Sequence, residues 1–402
     1  MDPKVSFVVP CYKLAHFLGD CVNSILSQTY GDFETLIMDD CSPDDTPEIA
    51  KQFKDPRVIH IRNEKNLGFV HNLNKGIEHS RGRYLWLISA DDCLRSQNVL
   101  QRYIDLLEKN PQVGYVFCPA MTLKDGEEVG VEEVWKWPGN RDRILSGHEV
   151  VRRSAYKCAL IAPTCLARKE CHMRAGGYPV DLPRTGDWYL WAAFAMTYDV
   201  GYFAEPMVYY RRHGANMDKV MAEEQPSFFF EQEMMVRWAI KKEAEKAGIK
   251  GVSSDLNRSL ADVYTRRLVD KEVKNWRHSC SWDVATQEIR NNTSSEEGAE
   301  EILRLIRADW PRKLALGYAR AAAGFYNLGQ LDQAVITFRD AIKSNPWSIK
   351  IRVYLMASRL EQLLGIRLVP WLKSLKNSLL LSLRRFIRRY PTFSSYYYYV
   401  DE

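Results

Sequence analysis

Between residues 4 and 118 short apolar runs alternate with stretches whose apolar residues recur at helical spacing. That alternation narrows the available folds more than any other feature of the chain. Val5–Val9 reads as a strand ended by Pro10, and Leu18, Cys21, Val22, Ile25 and Leu26 keep the spacing of one helix face. Thr35–Met38 is a second strand. Asp44-Asp45-Thr46-Pro47-Glu48 then has the composition of a helix start, with cap residues followed by Pro and acid in the first turn. Val58–Ile61, Tyr84–Ser89 and Val113–Cys118 are further strands, separated by helices over Phe69–His79 and Arg95–Glu108. Strands and helices in strict alternation predict an α/β domain with a Rossmann-like, mostly parallel sheet.

Two of these strands run out into paired carboxylates, Asp39-Asp40 and Asp91-Asp92. Ligands of open parallel sheets bind at the carboxyl ends of strands. Two acidic strand ends in one sheet therefore suggest a single cleft for a divalent cation and a phosphorylated ligand, since Mg²⁺ and Mn²⁺ take oxygen ligands and share them with phosphates. The competing reading is that Asp in these places only caps turns and helix starts.

Composition sets the limits. With 402 residues, 46% hydrophobic and 27% charged, the chain is globular and has room for two or three domains. The net charge of +5 is unevenly spread. Residues 366–390 carry Arg367, Lys373, Lys376, Arg384, Arg385, Arg388 and Arg389 without one acid, which leaves the rest close to neutral and gives no general case for a nucleic-acid partner. The nine cysteines form no CxxC, and Cys11, Cys21, Cys41, Cys93 and Cys118 lie in or beside apolar elements, as small buried thiols do in a reducing compartment. Cys165, Cys171 and His172 lack a fourth ligand at zinc spacing. Met1-Asp2-Pro3-Lys4 leads directly into a strand, and no apolar run approaches the ~20 residues of a membrane-spanning helix.

Residues 119–145 are mixed and loop-rich. Ser146-Gly147-His148-Glu149 reads as a capping box opening a helix to about Tyr156. A strand near Thr164–Ala167, a Gly176-Gly177-Tyr178 turn, a helix through Trp188–Tyr198 and a strand over Met207–Tyr210 follow. Beyond about residue 220 strand signals largely stop. Glu231–Ala247 and Asp255–Lys274 read as helices. Tyr318, Ala322, Phe325, Gly329, Ala334, Phe338, Ala341 and Pro346 have the spacing of one tetratricopeptide unit, and Ala299, Leu303, Ile306 and Pro311 repeat it weakly. A plain helical bundle fits the same pattern. From Val369 to Tyr390 one apolar stripe faces scattered Lys and Arg, which suits a basic amphipathic helix on an anionic membrane or a helix capping the repeats. The expected organisation is 1–225, an α/β domain; 226–365, a helical tetratricopeptide-like region; and 366–402, a basic helix and tail.

Four segments taken together carry a resemblance. Val5-Ser6-Phe7-Val8-Val9-Pro10-Cys11-Tyr12, Ser24-Ile25-Leu26-Ser27-Gln28-Thr29-Tyr30, Met38-Asp39-Asp40-Cys41-Ser42 and Ser89-Ala90-Asp91-Asp92 strongly resemble, in that order, the family-2 inverting glycosyltransferases, whose fold is of the GT-A type. The resemblance covers roughly residues 4–215. It implies that Pro10, Tyr12, Asp40 and Asp39 hold the nucleoside of a nucleotide-diphosphosugar, with Asn66, Gly68 and Asn74 of an Asn-x-Gly stretch nearby. Asp91 and Asp92 match the acidic motif that holds Mg²⁺ or Mn²⁺, with Ser89 where its first Asp commonly stands; Asp92 is the favoured ligand of the two, and Asp91 also faces the donor. The metal neutralises charge on the departing diphosphate. Asp187, in Thr185-Gly186-Asp187-Trp188, matches the general base, while Gly186 replaces the acid that commonly precedes it. Tyr210-Arg211-Arg212-His213 is similar to a closing element in which Arg211 clamps phosphate and His213 reaches the metal or diphosphate.

The function so implied is metal-dependent, inverting transfer of one sugar to a hydroxyl of a glycan or lipid-linked acceptor, as in bacterial-type cell-surface polysaccharide synthesis. UDP is the nucleotide most frequent in the family. A cytoplasmic location is expected, at the inner face of the membrane if the C-terminal region binds that surface or a protein partner. Two other classes compete. A sugar nucleotidyltransferase would open with a Gly-rich loop where Pro10-Cys11-Tyr12-Lys13 stands. A non-catalytic repeat scaffold with a relic sugar-nucleotide domain would have no reason to keep Asp40, Asp91, Asp92 and Asp187 together. A processive synthase would carry Gln-x-x-Arg-Trp and membrane spans, and the sequence has neither.

Overall fold

The computed structural model of the chain describes residues 2–132, 139–158, 160–216, 226–249, 251–274, 279–328, 330–346 and 355. Trp135 and Trp137, and the basic segment and tail expected over 366–402, lie outside these residues. The described residues fall into two compact units: those of Met1–Val263 with Glu288–Ile302, and those of Tyr264–Gln287 with the described residues from Leu303 onward.

The first unit is built on an eight-stranded sheet. Its strands are β1 (Val5–Cys11), β2 (Phe33–Asp39), β3 (Val58–Arg62), β4 (Tyr84–Leu87), β6 (Val113–Phe117), β9 (Arg143–Leu145), β10 (Leu166–Arg168) and β11 (Asp199–Tyr202), in the order β3-β2-β1-β4-β10-β6-β11-β9. A smaller sheet runs β5 (Cys93–Leu94), β12 (Val208–Arg212), β7 (Ala120–Lys124) and β8 (Glu127–Glu132). The helices are α1 (Ala15–Leu26), α2 (Thr46–Ala50), α3 (Phe69–His79), α4 (Val99–Lys109), α5 (Gly147–Ser154), α6 (Lys169–Ala175), α7 (Gly186–Ala195) and α8 (Pro226–Lys246), then α9 (Val252–Lys274), α10 (Trp282–Asn292), α11 (Glu296–Asn327) and α12 (Leu331–Ser344).

The half that positions the site, β3-β2-β1-β4, is parallel throughout. The other half is mixed, because β10 inserts antiparallel between β4 and β6 and β9 pairs antiparallel with β11. The central strands are covered on both faces: every residue of β1, β2, β4 and β6 is buried, the polar Ser6, Glu34 and Thr35 included. Trp86 stacks between Phe7 and Tyr103, with ring centroids 5.5 and 4.8 Å away, and its indole N–H donates to the Pro163 carbonyl at 2.7 Å. Each such aromatic contributes roughly 0.5–1.5 kcal/mol per ring pair beyond its area.

Several local expectations change. β1 passes through Pro10 to Cys11, since the Pro10 carbonyl still accepts from Ala90 N–H at 3.2 Å and only the missing donor is lost. Ser146 stands at the N-cap of α5 but its hydroxyl makes no capping bond; the Gly147 N–H instead donates to Asp199 Oδ1 at 3.2 Å. Residues 119–145, read as loop-rich, contain the β7–β8 hairpin and β9. No strand follows Arg212 among the described residues.

In the second unit the helical pair expected over 318–346 forms. Ala322, Phe338 and Ala341 are buried in one apolar cluster. The weaker repeat over 299–311 is not a separate hairpin, because Pro311 lies inside the continuous helix α11. No helix among the described residues is long and apolar enough to cross a membrane.

Candidate active site

The two acid pairs meet at the end of β1. The Asp40 N–H donates to the Cys11 carbonyl at 3.0 Å, and on the other side Ala90, next to Asp91, donates to the Pro10 carbonyl. Tyr12 follows directly and is 41% exposed, with the Lys13 ammonium 5.1 Å from its ring centre. Lys13 and Cys41, the residues just past β1 and β2, both take positive φ, 59° and 54°. The Lys13 N–H is held by Ser42 Oγ at 2.7 Å. Non-glycine residues in this region cost of order 1–3 kcal/mol each and persist where the surroundings over-determine them.

The first pair is bound up in the protein. Asp39, fully buried, accepts from the Ser42 N–H at 2.8 Å, from Arg62 at 2.6 Å and from His60 at 3.1 Å. Asp40 accepts from Asn63 Nδ2 at 2.9 Å and from the backbone N–H groups of Leu67 and Gly68 at 2.8 and 2.9 Å. Gly68, with φ 83°, opens α3, and Asn66 Oδ1 also accepts its N–H at 3.0 Å. Asp44, which the sequence marked only as part of a helix start, ties the loops after β1 and β2 together through Ala15 N–H, Ser42 and Thr46. Burial pushes its carboxyl up, but the Ser42 and Thr46 hydroxyls and the two backbone donors outweigh that and hold it down at about 2.

The second pair is differently placed. Antiparallel pairing of β12 with β5 sets Val208 opposite Leu94 and Tyr209 opposite Cys93, so the next residues of β12 run past Asp91-Asp92. The Arg211 N–H donates to Asp92 Oδ1 at 3.0 Å, and its guanidinium donates to the Asp91 carbonyl at 2.8 Å and to Asp20 at 3.1 Å. His213 Nε2 lies 3.0 Å from Asp91 Oδ2. Phe17 packs under both, 4.5 Å from the Arg211 guanidinium and 5.0 Å from the His213 ring. Burial, reinforced by the Asp91 charge, raises the Asp92 carboxyl well above its ordinary value, against the pull of Arg211.

Asp91 Oδ1 is buried without a hydrogen-bond partner. A buried acceptor normally finds one, so this oxygen, with Asp91 Oδ2 and His213 beside it, fits an ion held by one or two protein groups and a diphosphate. Among the described residues no group of three or more His, Cys, Asp or Glu forms a closed metal cage. The Cys165, Cys171 and His172 set does not form one either: His172 is fully buried, both ring nitrogens lack partners, and burial pushes its pKa down to about 3.

Asp187 is half-buried in the first turn of α7. Its Oδ1 accepts the Trp188 N–H at 2.7 Å, and its own N–H donates to the Tyr178 hydroxyl at 2.9 Å. A side chain at position 186 would place Cβ 2.2 Å from the Tyr178 ring, so the glycine there is a packing requirement. The loop before α7 is pinned by Gln232 of α8, which accepts from Arg184 N–H at 3.4 Å and donates to the Asp181 carbonyl at 3.1 Å. Arg237 of α8 lies 4.7 Å from the Trp188 ring centre. Both amide atoms of Asn74 bond to the Tyr178 backbone, at 2.7 and 2.8 Å. Neither Gln232 nor Tyr178 was marked from sequence; only the Gly176-Gly177-Tyr178 turn signalled the latter, and both glycines take positive φ, 77° and 84°.

A family model described as "Glycosyl transferase family 2" matches residues 6–161. An uncharacterized glycosyltransferase of Haemophilus influenzae is 25% identical over 234 residues, 56% of this chain and 70% of that protein. Two Bacillus subtilis proteins share shorter stretches. The uncharacterized glycosyltransferase EpsJ is 35% identical over 120 residues, 29% of this chain and 34% of its own. The putative teichuronic acid biosynthesis glycosyltransferase TuaG is 31% identical over 110 residues, 27% of this chain and 44% of its own. The chain thus spans less than half the length of these two. Residues 1–349 of S. aureus TarS, solved in complex with UDP-GlcNAc, give a TM-score of 0.55 at 14% identity, covering 86% of this chain and 93% of that one. That likeness establishes a shared fold. The family match falls on the strands that carry both acid pairs, so residues 6–161 form a glycosyltransferase family 2 domain.

Proposed function

We propose that the enzyme transfers a single sugar, with inversion, from a nucleotide-diphosphosugar of the UDP class to a hydroxyl of a glycan or lipid-linked acceptor in cell-surface polysaccharide assembly. The observation that carries this reading is the convergence of Asp39-Asp40, Asp91-Asp92 and the Arg211–His213 segment on the end of β1, with one Asp91 oxygen left unpartnered. The UDP class and the polysaccharide setting draw further support from the UDP-GlcNAc complex of TarS and the teichuronic acid relative.

In this reading the exposed Tyr12 ring stacks on the base beside Pro10. A carboxylate has roughly four acceptor sites. Asp39 and Asp40 each spend three on protein donors, so each keeps one for a uracil N–H or ribose hydroxyl while holding the Ser42 and Asn66–Gly68 loops that frame the nucleoside. Asp91 and His213, with Asp92 behind them, would hold Mg²⁺ or Mn²⁺, which when bound offsets charge on the diphosphate. Arg211 bridges the acidic strand end to β12 and keeps His213 facing Asp91. Asp187 takes the proton of the acceptor hydroxyl as its oxygen bonds to the anomeric carbon. The bond from that carbon to the phosphate oxygen breaks, and the nucleoside diphosphate leaves with the electron pair.

The test is a thermal-shift series with UDP, GDP and dTDP, with and without Mn²⁺, on wild type and Asp91→Asn. A ligand at 100 times its dissociation constant stabilises by about 2.7 kcal/mol. The reading expects a Mn²⁺-dependent shift with UDP that the variant loses. A shift with GDP or dTDP alone would move the donor class, and none with any nucleotide would leave the domain a scaffold.

A further inference from the structure

We propose that Tyr178, clamped by Asn74, is the positioning residue that sets where Asp187 stands. The inference rests on Asp187 being the base and asks what fixes it there. The first N–H groups of a helix have no partner within the helix, and Thr185, at the N-cap of α7, makes no side-chain capping bond, its hydroxyl donating to the Gln232 carbonyl at 3.3 Å instead. The Tyr178 hydroxyl fills that place for the N–H of Asp187 itself, at 2.9 Å. The Tyr178 ring is 6% exposed and occupies the space that any side chain at position 186 would need. The helix start is thus gripped through a hydrogen bond at one residue and a steric contact at the residue before it.

Tyr178 is itself held. Asn74 accepts its N–H at 2.7 Å and donates to its carbonyl at 2.8 Å, across 104 positions of sequence. A Cβ on Gly177 would come within 2.9 Å of Asn74 Oδ1, so the preceding turn is shaped around this clamp. The Phe69 ring meets Tyr178 edge-on at 5.9 Å. Both Phe69 and Asn74 belong to α3, and the backbone leading into α3 is bound by Asp40 through Leu67 and Gly68. One helix therefore joins the carboxylate on the nucleoside side to the base on the acceptor side. Placement of a base matters at this scale, because an error of about 1 Å can cost on the order of 100-fold in rate.

The test is a kinetic cycle of wild type, Tyr178→Phe, Asp187→Asn and the double variant, following UDP release from UDP-N-acetylglucosamine and UDP-glucose with Mn²⁺. Tyr178→Phe keeps the ring and removes only the acceptor oxygen. It is expected to lower kcat about tenfold, with donor KM within about twofold and little change in Tm, and to cost nothing further in the Asp187→Asn background, as for residues acting as one unit. Amide exchange at the start of α7 is read in parallel and needs no turnover: it should quicken in Tyr178→Phe and in Asn74→Ala. Wild-type kcat in Tyr178→Phe, an equal loss in both backgrounds, or unchanged exchange would overturn the proposal. Full turnover in Asp187→Asn alone would instead remove the base reading, and that single variant tells the two failures apart.

Discussion

Asp39-Asp40 and Asp91-Asp92 look alike in sequence, each an acid pair at the end of a buried parallel strand, yet the structure uses them in opposite ways. The first pair is mostly satisfied from its own domain, with Arg62, His60, Asn63 and three backbone N–H groups donating to it and one acceptor site left on each carboxylate. The second is bridged by Arg211 and His213 but retains a buried oxygen without a partner. A satisfied buried carboxylate builds structure, and removing it strands its donors. An unsatisfied one is a standing cost that a cation can relieve. The lesson is that a paired-acid motif becomes informative about ligands only when its remaining acceptor capacity is counted.

The largest expected effect falls on the second pair. Asp91→Asn should lower Mn²⁺-dependent UDP release by on the order of 100-fold while Tm stays within a degree or two or rises, since one of two adjacent buried charges is lost. A Tm collapse with this variant would show that the second pair is structural as well, and the contrast would fail.

Next in size, Asp40→Ala should destabilise the fold by roughly 2–4 kcal/mol in urea unfolding, because it strands the Leu67 and Gly68 N–H groups and Asn63. Nucleotide affinity should fall mainly through the loosened loop. An unfolding midpoint equal to wild type would place Asp40 with the ligand rather than with the framework.

A third prediction separates acid sensitivity from both pairs. His172 has a folded-state pKa pushed down to about 3 from 6.5 by burial, so the unfolded chain binds more protons between those values and stability falls as pH drops through that window. At pH 5 the loss should be on the order of 2 kcal/mol relative to pH 8. His172→Phe, packed against Phe194 and Trp191 as the imidazole is, should remove most of it. If the acid-side loss persists unchanged in urea titrations of the variant, the paired carboxylates carry it instead.

Much of the site was legible in the sequence because its chemistry sits at strand ends, which local patterning locates well. Apolar runs fixed β1, β2 and β4, and with them the places of Pro10, Asp39, Asp40, Asp91 and Asp92. Asp187 was legible as an acid opening a helix. What lay hidden depends on pairings distant in sequence. Nothing local says that β12 lies against β5, the register that brings Arg211 and His213 to Asp91-Asp92; only the resemblance had linked those two residues to the metal and diphosphate. The β7–β8 hairpin escaped because Glu127–Glu132 is solvent-facing and acidic, with little apolar signal to read. Asn74 was grouped with the nucleotide side by its neighbours in sequence, whereas its partner Tyr178 lies over a hundred residues away. In the helical region, local spacing found the pair over 318–346, but Pro311 misled because a long helix such as α11 can absorb one lost hydrogen bond.

The most direct test of the central claim is UDP release from a UDP-sugar in the presence of Mn²⁺, compared among wild type, Asp91→Asn and Asp187→Asn at equal fold stability. The account predicts turnover in wild type that needs Mn²⁺, loss of both turnover and Mn²⁺-dependent UDP binding in Asp91→Asn, and loss of turnover with binding intact in Asp187→Asn. Turnover that survives in Asp187→Asn, or UDP binding that ignores both Mn²⁺ and Asp91, would contradict it.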